Sequence, residues 1–277
     1  MAEVLYNAAH VVSAAALGVR YDGRPLDGWR EMEVDLSRVG AGAVAEVRLG
    51  PTVAVAVVTC ALGAPDARRP GEGAFAVAAS DDGVSRFLER CYRGGCVDGE
   101  ALCVAAGRAA WSVRCDARVV NDGGNARDAL ALACGAALRH CRLPRCEVDG
   151  DGNATVRDAD AANALPLPLL RVPLCVSLAL SPGRAADARG YARVADPSAA
   201  EAAAAVGEYA LAFDAHGGVC ALDFSGAPAE PAVLAACAAD ARKRCAALHD
   251  ALDRDLAAAD AADRADRAEA LKAAARG

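Results

Sequence analysis

A chain of 277 residues is long enough to bury a substantial core, as one large domain or two small ones. Its formal net charge of −7 excludes a protein that coats nucleic acid with its whole surface, because phosphate binding needs clustered Lys and Arg. A local arginine patch remains possible. The 12 cysteines include no CxxC zinc pair, and we find no signal peptide or apolar run of 18 residues. We therefore expect a reducing compartment and no metal, cofactor or membrane span.

The first half of the chain changes from strand to helix patterns and back. Residues 32–36 and 45–49 alternate between apolar and polar, and residues 52–62 are almost continuously apolar, which favours a strand covered on both faces. These patterns predict strands over 32–36, 45–49, 52–62 and 111–120, and helices over 84–92 and about 127–141. The second helix is expected to bury a stripe of Leu130, Cys134 and Leu138.

The second half repeats this pattern. We predict a strand over 172–180, a hairpin of strands 208–214 and 219–224, and a helix from Pro231 to the end. From Asp253 onward only Leu256 and Leu271 are large and apolar, so this part of the helix is expected to be solvated or dependent on a partner. Two successive units of strands followed by helix indicate an α+β fold.

Three motifs, in order along the chain, resemble those of the RNase PH family. They are Arg20-Tyr-Asp-Gly-Arg24 with Trp29-Arg30, Arg69-Pro-Gly-Glu-Gly73, and the strand and turn from Arg114 to Gly124. The resemblance implies the RNase PH-like (ribosomal protein S5 domain 2-like) fold over residues 1–250. It divides this domain into units of about 20–165 and 166–250, followed by a charged helical tail over 251–277.

Within that family, the likeness is to non-catalytic ring subunits of the eukaryotic RNA exosome. It is carried by four stretches, residues 86–91, 96–104, 172–177 and 194–198. The resemblance implies a hexameric ring built with other RNase PH-like subunits, RNA-binding cap subunits as further partners, and single-stranded RNA as ligand. It also implies a location in the nucleus, including the nucleolus, and in the cytoplasm.

The catalytic positions of active family members are altered here. Their phosphate-binding turn resembles Gly-Gly-[Thr/Ser]-Arg, whereas this chain has Gly123, Gly124, Asn125 and Ala126, which we call the phosphate loop. Losing an arginine contact to phosphate costs roughly 1.5–3 kcal/mol. Two carboxylate positions of active members fall at Ala202 and Glu208, so one carboxylate is missing. We therefore predict no catalytic residue and no phosphorolytic activity in this chain alone.

The predicted RNA contact is the arginine face, formed by Arg86, Arg90 and Arg93 on the helix over 84–92. Residues four apart on a helix are neighbours, so Arg86 and Arg90 can meet successive phosphates. The alternative is an ordinary solvated face, with Glu89 reducing the charge. Two other functions stay open: an active phosphate-dependent 3′-to-5′ exoribonuclease with an altered site, and a purely structural scaffold.

Other candidate sites are explained more simply as structure. The histidines His10, His140, His216 and His249 are scattered and share no motif with Cys or Asp. The stretch over 149–153 is similar to a calcium loop but lacks its terminal Glu, so a loop between strands is expected. The glycines Gly71 and Gly73 are consistent with a turn as well as with a phosphate cradle.

Overall fold

The computed structural model describes residues 2–93, 95–150, 154–156, 164–182, 191–227 and 230–274. Part of the calcium-like stretch, residues 151–153, lies outside these ranges. The described chain forms two main sheets, the first mixed and the second antiparallel, with helices between and around them. The α+β class predicted from the sequence pattern is confirmed.

The first sheet has the strand order β1-β2-β3-β6-β4, and β5 pairs with β6. Its strands are β1 Met32–Val39, β2 Gly42–Leu49, β3 Thr52–Gly63, β4 Ala74–Ala79, β5 Cys103–Ala105 and β6 Ala109–Asn121. Within this sheet, β4 alone runs parallel to its neighbour, β6. The chain passes through helix α2 (Asp82–Tyr92) between these two strands, and this crossover lets them run in the same direction. One face of β2 is buried, as its period-two pattern predicts. The expectation that the strand over 52–62 is covered on both faces is wrong, because helix α3 (Ala126–His140) packs on one face of β3 and the other face is half-buried to exposed.

Helix α3 (Ala126–His140) is the centre of the fold. It contacts β2, β3 and β6 of the first sheet on one side and β11 (Leu174–Pro182) of the second sheet on the other. Burial nearly all round the helix differs from the predicted single stripe, because Ala and Gly let two sheets approach it closely. A Cβ on Gly135 would lie 2.9 Å from Leu174 Cδ2 and 3.0 Å from Val172 Cγ1.

The second sheet is antiparallel, with the strand order β12-β11-β13-β14. Its other strands are β12 Tyr191–Ala195, β13 Gly207–Phe213 and β14 Val219–Gly226, and helix α4 Ala199–Ala204 lies between β12 and β13 in the chain. The predicted hairpin at residues 208–224 is confirmed as β13 and β14. Two small ribbons join the sheets: β7 Arg142–Leu143 with β10 Leu165–Pro166, and β8 Cys146–Val148 with β9 Ala154–Val156.

An N-terminal helix, α1 (Ala2–Ala16), was not among the predicted elements. It packs against α4, β11 and β12, with Val11 and Ala15 buried. Its apolar residues are mostly alanines, which give a weak periodic signal, so the helix depends on this packing more than on its own pattern.

Helix α5 (Pro231–Ala274) has 44 residues and is therefore about 66 Å long. Its buried stripe consists of Val233, Cys237, Ala241, Cys245, Leu248, Leu252 and Leu256. The expectation of a solvated helix from Asp253 onward is wrong at Leu256, which is 7% exposed and belongs to the main core. The helix crosses residue 251 without interruption, and the division at 250/251, like that at 165/166, stays a prediction.

Ion pairs hold α5 beyond its apolar stripe. Asp260 contacts both Arg38 of β1 and Arg142 of β7, and Asp253 contacts Arg139 at the end of α3. Between Leu256 and Leu271 the helix has no large apolar side chain, so charge pairing substitutes for hydrophobic burial there. Among the described helices, none combines the length and the hydropathy needed to cross a membrane.

Candidate functional site

The phosphate loop has a backbone that demands its two central residue types. Gly124 has φ +96°, and a Cβ there would lie 2.2 Å from the backbone nitrogen of Ala199. Asn125 has φ 57° and ψ 39°, the left-handed region that Asn tolerates better than β-branched residues do. The loop therefore packs closely against the residues at the start of α4, and this close approach explains the glycine at position 124.

The Asn125 side chain bridges two carboxylates. Its Nδ2 donates to Asp196 Oδ1 at 2.8 Å and to Asp128 Oδ2 at 2.9 Å. These two bonds use both amide hydrogens, and the residue is 9% exposed. A buried amide in this arrangement is a cross-link between α3 and the second sheet, and no hydrogen remains on it for an anionic ligand.

Asp196 is the centre of the cluster, which sequence reasoning missed. Its carboxylate accepts from Arg30 Nε at 2.8 Å and Arg30 Nη2 at 2.6 Å, and from Arg24 Nη1 at 2.8 Å. Burial acts to raise the pKa of Asp196, but the hydrogen bonds from Arg30 and Asn125 outweigh it and hold this pKa below its usual range. The loop thus faces a carboxylate that is already neutralised.

The polar backbone atoms of the two loop glycines have partners within the chain. The Gly123 N–H donates to Thr52 Oγ1 at 3.1 Å, and the Gly124 N–H donates to Asp122 Oδ1 at 2.9 Å. Their carbonyls accept from Arg30, and Thr52 Oγ1 donates to Gly124 O at 2.6 Å. A phosphate site needs N–H groups that point outward to the ligand, and at these two residues they point to Thr52 and Asp122.

The first motif, around Arg20, is a buried clamp. Arg20 pairs bidentately with Glu201, with Nε–Oε1 at 2.8 Å and Nη2–Oε2 at 2.6 Å, and its side chain is fully buried. It also donates to the carbonyls of Ala195 and Asp196. Glu201 closes a capping box with Ser198 at the start of α4. The segment before β1 is therefore fastened to the second sheet.

The two carboxylate positions lie on different elements. Ala202 is on α4, where it brings no side-chain oxygen, and its neighbour Glu201 is taken by Arg20. Glu208 is on β13, in register with Ala179 of β11 and Ser225 of β14. The contact between Ala199 N–H and Gly123 O at 3.2 Å places the start of α4 beside the phosphate loop.

Asp128, in the first turn of α3, is a buried carboxylate that no sequence motif singled out. It accepts from Ser177 N–H at 2.8 Å, from Ser177 Oγ at 2.7 Å and from Asn125. Burial raises its pKa to about 6, although the hydrogen bonds from Ser177 and Asn125 act to lower it. Its role here is to join α3 to β11.

The arginine face is exposed along α2. Arg86 Nε donates to its own helix at Asp82 O, and Arg90 Nη2 lies 3.1 Å from Asp223 Oδ1 of β14. Arg93 ends the helix. The three side chains follow one another at helical spacings of four and three residues, so the structure brings the predicted residues onto one side of α2.

A fourth arginine, Arg127, joins the arginine face from the first turn of α3. Its guanidinium lies 5.1 Å from the Phe87 ring centroid, and that of Arg90 lies 5.7 Å from the same centroid. Arg127 Nη1 is also 3.6 Å from Asp223 Oδ2. The sequence places Arg127 one residue after the phosphate loop, which marks it as a candidate. Only its contact with Phe87 of α2 shows which way the side chain points.

One cluster has the atom types of a metal site. His140, Asp260 and Asp263 place ligand atoms within 4.8 Å of one another. Arg38 contacts both aspartates, and Arg142 Nη2 lies 2.9 Å from Asp260 Oδ2. A cation would have to displace two guanidinium groups, so we assign the cluster to the ion pairs that hold α5.

Known proteins resemble this chain over most of its length. The model of the 3′ exoribonuclease family, domain 1 (RNase PH), matches residues 29–144. Exosome complex component RRP45A of Arabidopsis thaliana is 31% identical over 236 residues, covering 78% of this chain and 74% of that protein. Exosome complex component RRP45 of Homo sapiens is 30% identical over 225 residues, covering 75% of this chain and 49% of that protein, so the chain spans about half the human relative.

Solved structures share the fold. A chain described as "Archaeal exosome core" has a TM-score of 0.74 at 24% identity, covering 91% of this chain and 100% of that chain. A chain of the "archaeoglobus fulgidus exosome with RNA bound to the active site" has a TM-score of 0.73 at 23% identity, covering 90% of this chain and 99% of that one. The RNase PH-like fold expected from the motifs is confirmed. By its sequence and its fold, the chain belongs to the RNase PH, or 3′ exoribonuclease, family.

Proposed function

We propose that this chain is a ring subunit of an RNA exosome, which supports 3′-to-5′ RNA processing and degradation, including that of ribosomal RNA, without phosphorolytic chemistry of its own. The similarity to exosome components named RRP45 supports membership of such a ring. The proposed partners are other RNase PH-like subunits in a hexameric ring, RNA-binding cap subunits and single-stranded RNA. Nucleus, nucleolus and cytoplasm are the proposed locations.

The observation that carries the loss of chemistry is the internal hydrogen bonding of the phosphate loop. The N–H groups of Gly123 and Gly124 and the Asn125 amide donate to Thr52, to Asp122 and to two buried carboxylates. Ala126 supplies no guanidinium. A phosphate arriving here would have to replace bonds that already satisfy these donors. Three of the four are charge-assisted bonds to carboxylates, and each of these costs roughly 1.5–3 kcal/mol to break.

The arginine face, extended by Arg127, is the proposed RNA contact. Arg90 and Arg127 share one carboxylate, Asp223, so the two guanidinium groups carry an excess of one positive charge. Their stacking on Phe87 limits their rotamers, which lowers the entropy lost when they bind. An RNA phosphate can take the place of Asp223 as their partner, since guanidinium groups bind phosphate through paired N–H donors.

The test of activity uses the purified chain alone with single-stranded RNA and inorganic phosphate. We expect no release of nucleoside diphosphates; their release would contradict the proposal and favour an active enzyme with an altered site.

The test of RNA contact uses the assembled ring. An Arg86→Glu/Arg90→Glu variant should lose most ultraviolet cross-linking of this subunit to RNA, and Arg254→Glu, on the exposed part of α5, is the matched control. Cross-linking of the double variant at the level of the control would favour the scaffold alternative. Size-exclusion chromatography of both rings separates loss of contact from loss of assembly.

A further inference from the structure

Two cysteines meet where helix α3 ends against strand β3. The Sγ atoms of Cys60 and Cys141 are 3.5 Å apart, and both thiols are free. Cys60 is half-buried near the end of β3, whereas Cys141 is fully buried at the C-cap of α3. A disulfide S–S bond is about 2.05 Å long, so a closing movement of about 1.5 Å would join the two sulfurs.

The surroundings of Cys141 stabilise a thiolate. As a thiol, Cys141 donates its S–H to Ala41 O at 3.3 Å; once that proton is lost, the S–H of Cys60 donates to the Cys141 thiolate. The hydrogen bond from Cys60 lowers the pKa of Cys141 although burial opposes it, and the charges of Arg142 and Arg38 lower it further. The same hydrogen bond, together with burial, raises the pKa of Cys60.

We propose that Cys60 and Cys141 form a redox site that takes a low-molecular-weight disulfide, such as oxidised glutathione, and closes to an intrachain disulfide. Cys60 is the thiol that meets the oxidant, because it is the more exposed of the two. Cys141 is first the base and then the resolving thiol. Neither role involves the phosphate loop or the arginine face, so the site is independent of the proposed function.

The exchange proceeds in two balanced steps. The Cys60 proton passes along the hydrogen bond to the Cys141 thiolate, and Cys60 Sγ attacks one glutathione sulfur, breaking the glutathione S–S bond and releasing one glutathione thiolate. That thiolate takes the proton from Cys141, whose Sγ attacks Cys60 Sγ. The new S–S bond releases the second glutathione thiolate, which takes from solvent the proton that Cys141 had given up. Two protein thiols are oxidised and one glutathione disulfide is reduced to two thiols.

The other cysteines provide a contrast within the same chain. Cys91, Cys96 and Cys245 are buried, so an oxidant does not reach them as it reaches the half-buried Cys60, and burial raises the pKa of each of the three thiols to about 12. Cys103 on β5 is half-buried, as Cys60 is, and serves as the matched control for accessibility.

The experiment incubates the folded full-length chain with oxidised glutathione, alkylates the remaining thiols and digests with trypsin. Cleavage after Arg48, Arg68, Arg139 and Arg142 releases Cys60 in residues 49–68 and Cys141 in residues 140–142. We expect these two peptides joined as one species, two hydrogens lighter than their sum, as the main oxidised product. Persistence of glutathione on Cys60 with no joined peptide would overturn the proposal.

Single variants separate the two roles. Cys141→Ser should slow the addition of glutathione to Cys60, because the base is missing, and should trap the glutathione that does add, because the resolving thiol is missing. Cys60→Ser should leave residues 140–142 unmodified. Cys103→Ser should form the joined peptide at the wild-type rate. Equal modification of Cys103 and Cys60 in the wild-type chain, or glutathione on Cys141 in the Cys60→Ser variant, would contradict the assigned order.

Discussion

Asp128 gives the protein a pH dependence that its sequence alone does not indicate. In the folded chain its pKa is about 6, whereas the ordinary value is 3.8. Between these values the folded chain holds a proton that the unfolded chain has lost, so the free energy of unfolding falls as pH rises from about 4 to about 6. At about 1.4 kcal/mol for each pH unit, the total loss is ~3 kcal/mol, and it is complete above pH 6.

The Asp128→Asn variant isolates this effect because it preserves the hydrogen bonds. One amide oxygen accepts from Ser177 N–H and Asn125, and the amide nitrogen donates to Ser177 Oγ, whose hydroxyl proton can turn away. Burial lowers the pKa of His140 and His249, which makes stability rise with pH up to about 6.5, but this contribution is the same in both proteins.

The assay is urea unfolding of wild type and Asp128→Asn at pH values from 4 to 7.5, followed by circular dichroism. The difference in free energy of unfolding should shift in favour of the variant by ~3 kcal/mol between pH 4 and pH 6.5 and stay level above it. Curves that remain parallel over this range would refute the reasoning, since they would mean that Asp128 is ionised in the folded protein at pH 4.

Three further predictions concern named side chains. Asn125→Ala removes two bonds to buried carboxylates and should cost roughly 2–4 kcal/mol in urea unfolding; a loss below 0.5 kcal/mol would contradict the cross-link. Asp223→Asn frees Arg90 and Arg127, so RNA affinity in filter binding should rise by about two- to five-fold, and should not rise in an Arg90→Met/Arg127→Met background. Leu256→Ala should cost roughly 2–4 kcal/mol, whereas Leu222→Ala, at a side chain 55% exposed, should cost far less.

Hydrophobic periodicity predicted burial correctly where a segment has one face on a core. Strands β1 and β2 follow their alternation, because each has one face on a core. It failed at α3, whose small residues lie between two sheets, and at α1, which packs against α4, β11 and β12, all distant in sequence. In both helices, contacts with elements distant in sequence determine the burial that local periodicity does not predict.

The site was predictable only in part, for a related reason. The motifs identified the loop and the arginine face, both continuous in sequence. Asp196 lies 166 residues from Arg30 and 71 from Asn125, and no spacing rule connects such residues. The Arg127 guanidinium lies over the Phe87 ring of α2, a contact between residues 40 apart that no sequence motif predicts.

The clamp around Arg20 also fixes an order of events during synthesis. Arg20, Arg24 and Arg30 leave the ribosome early, but their partners Asp196 and Glu201 follow some 170 residues later. During that interval the hairpin β1–β2 can pair locally. The three guanidinium groups remain in water, and the phosphate loop lacks its contact with the start of α4. The segment from Arg20 to Arg30 is therefore among the last to reach its final contacts, and a nascent chain halted before residue 196 would still lack them.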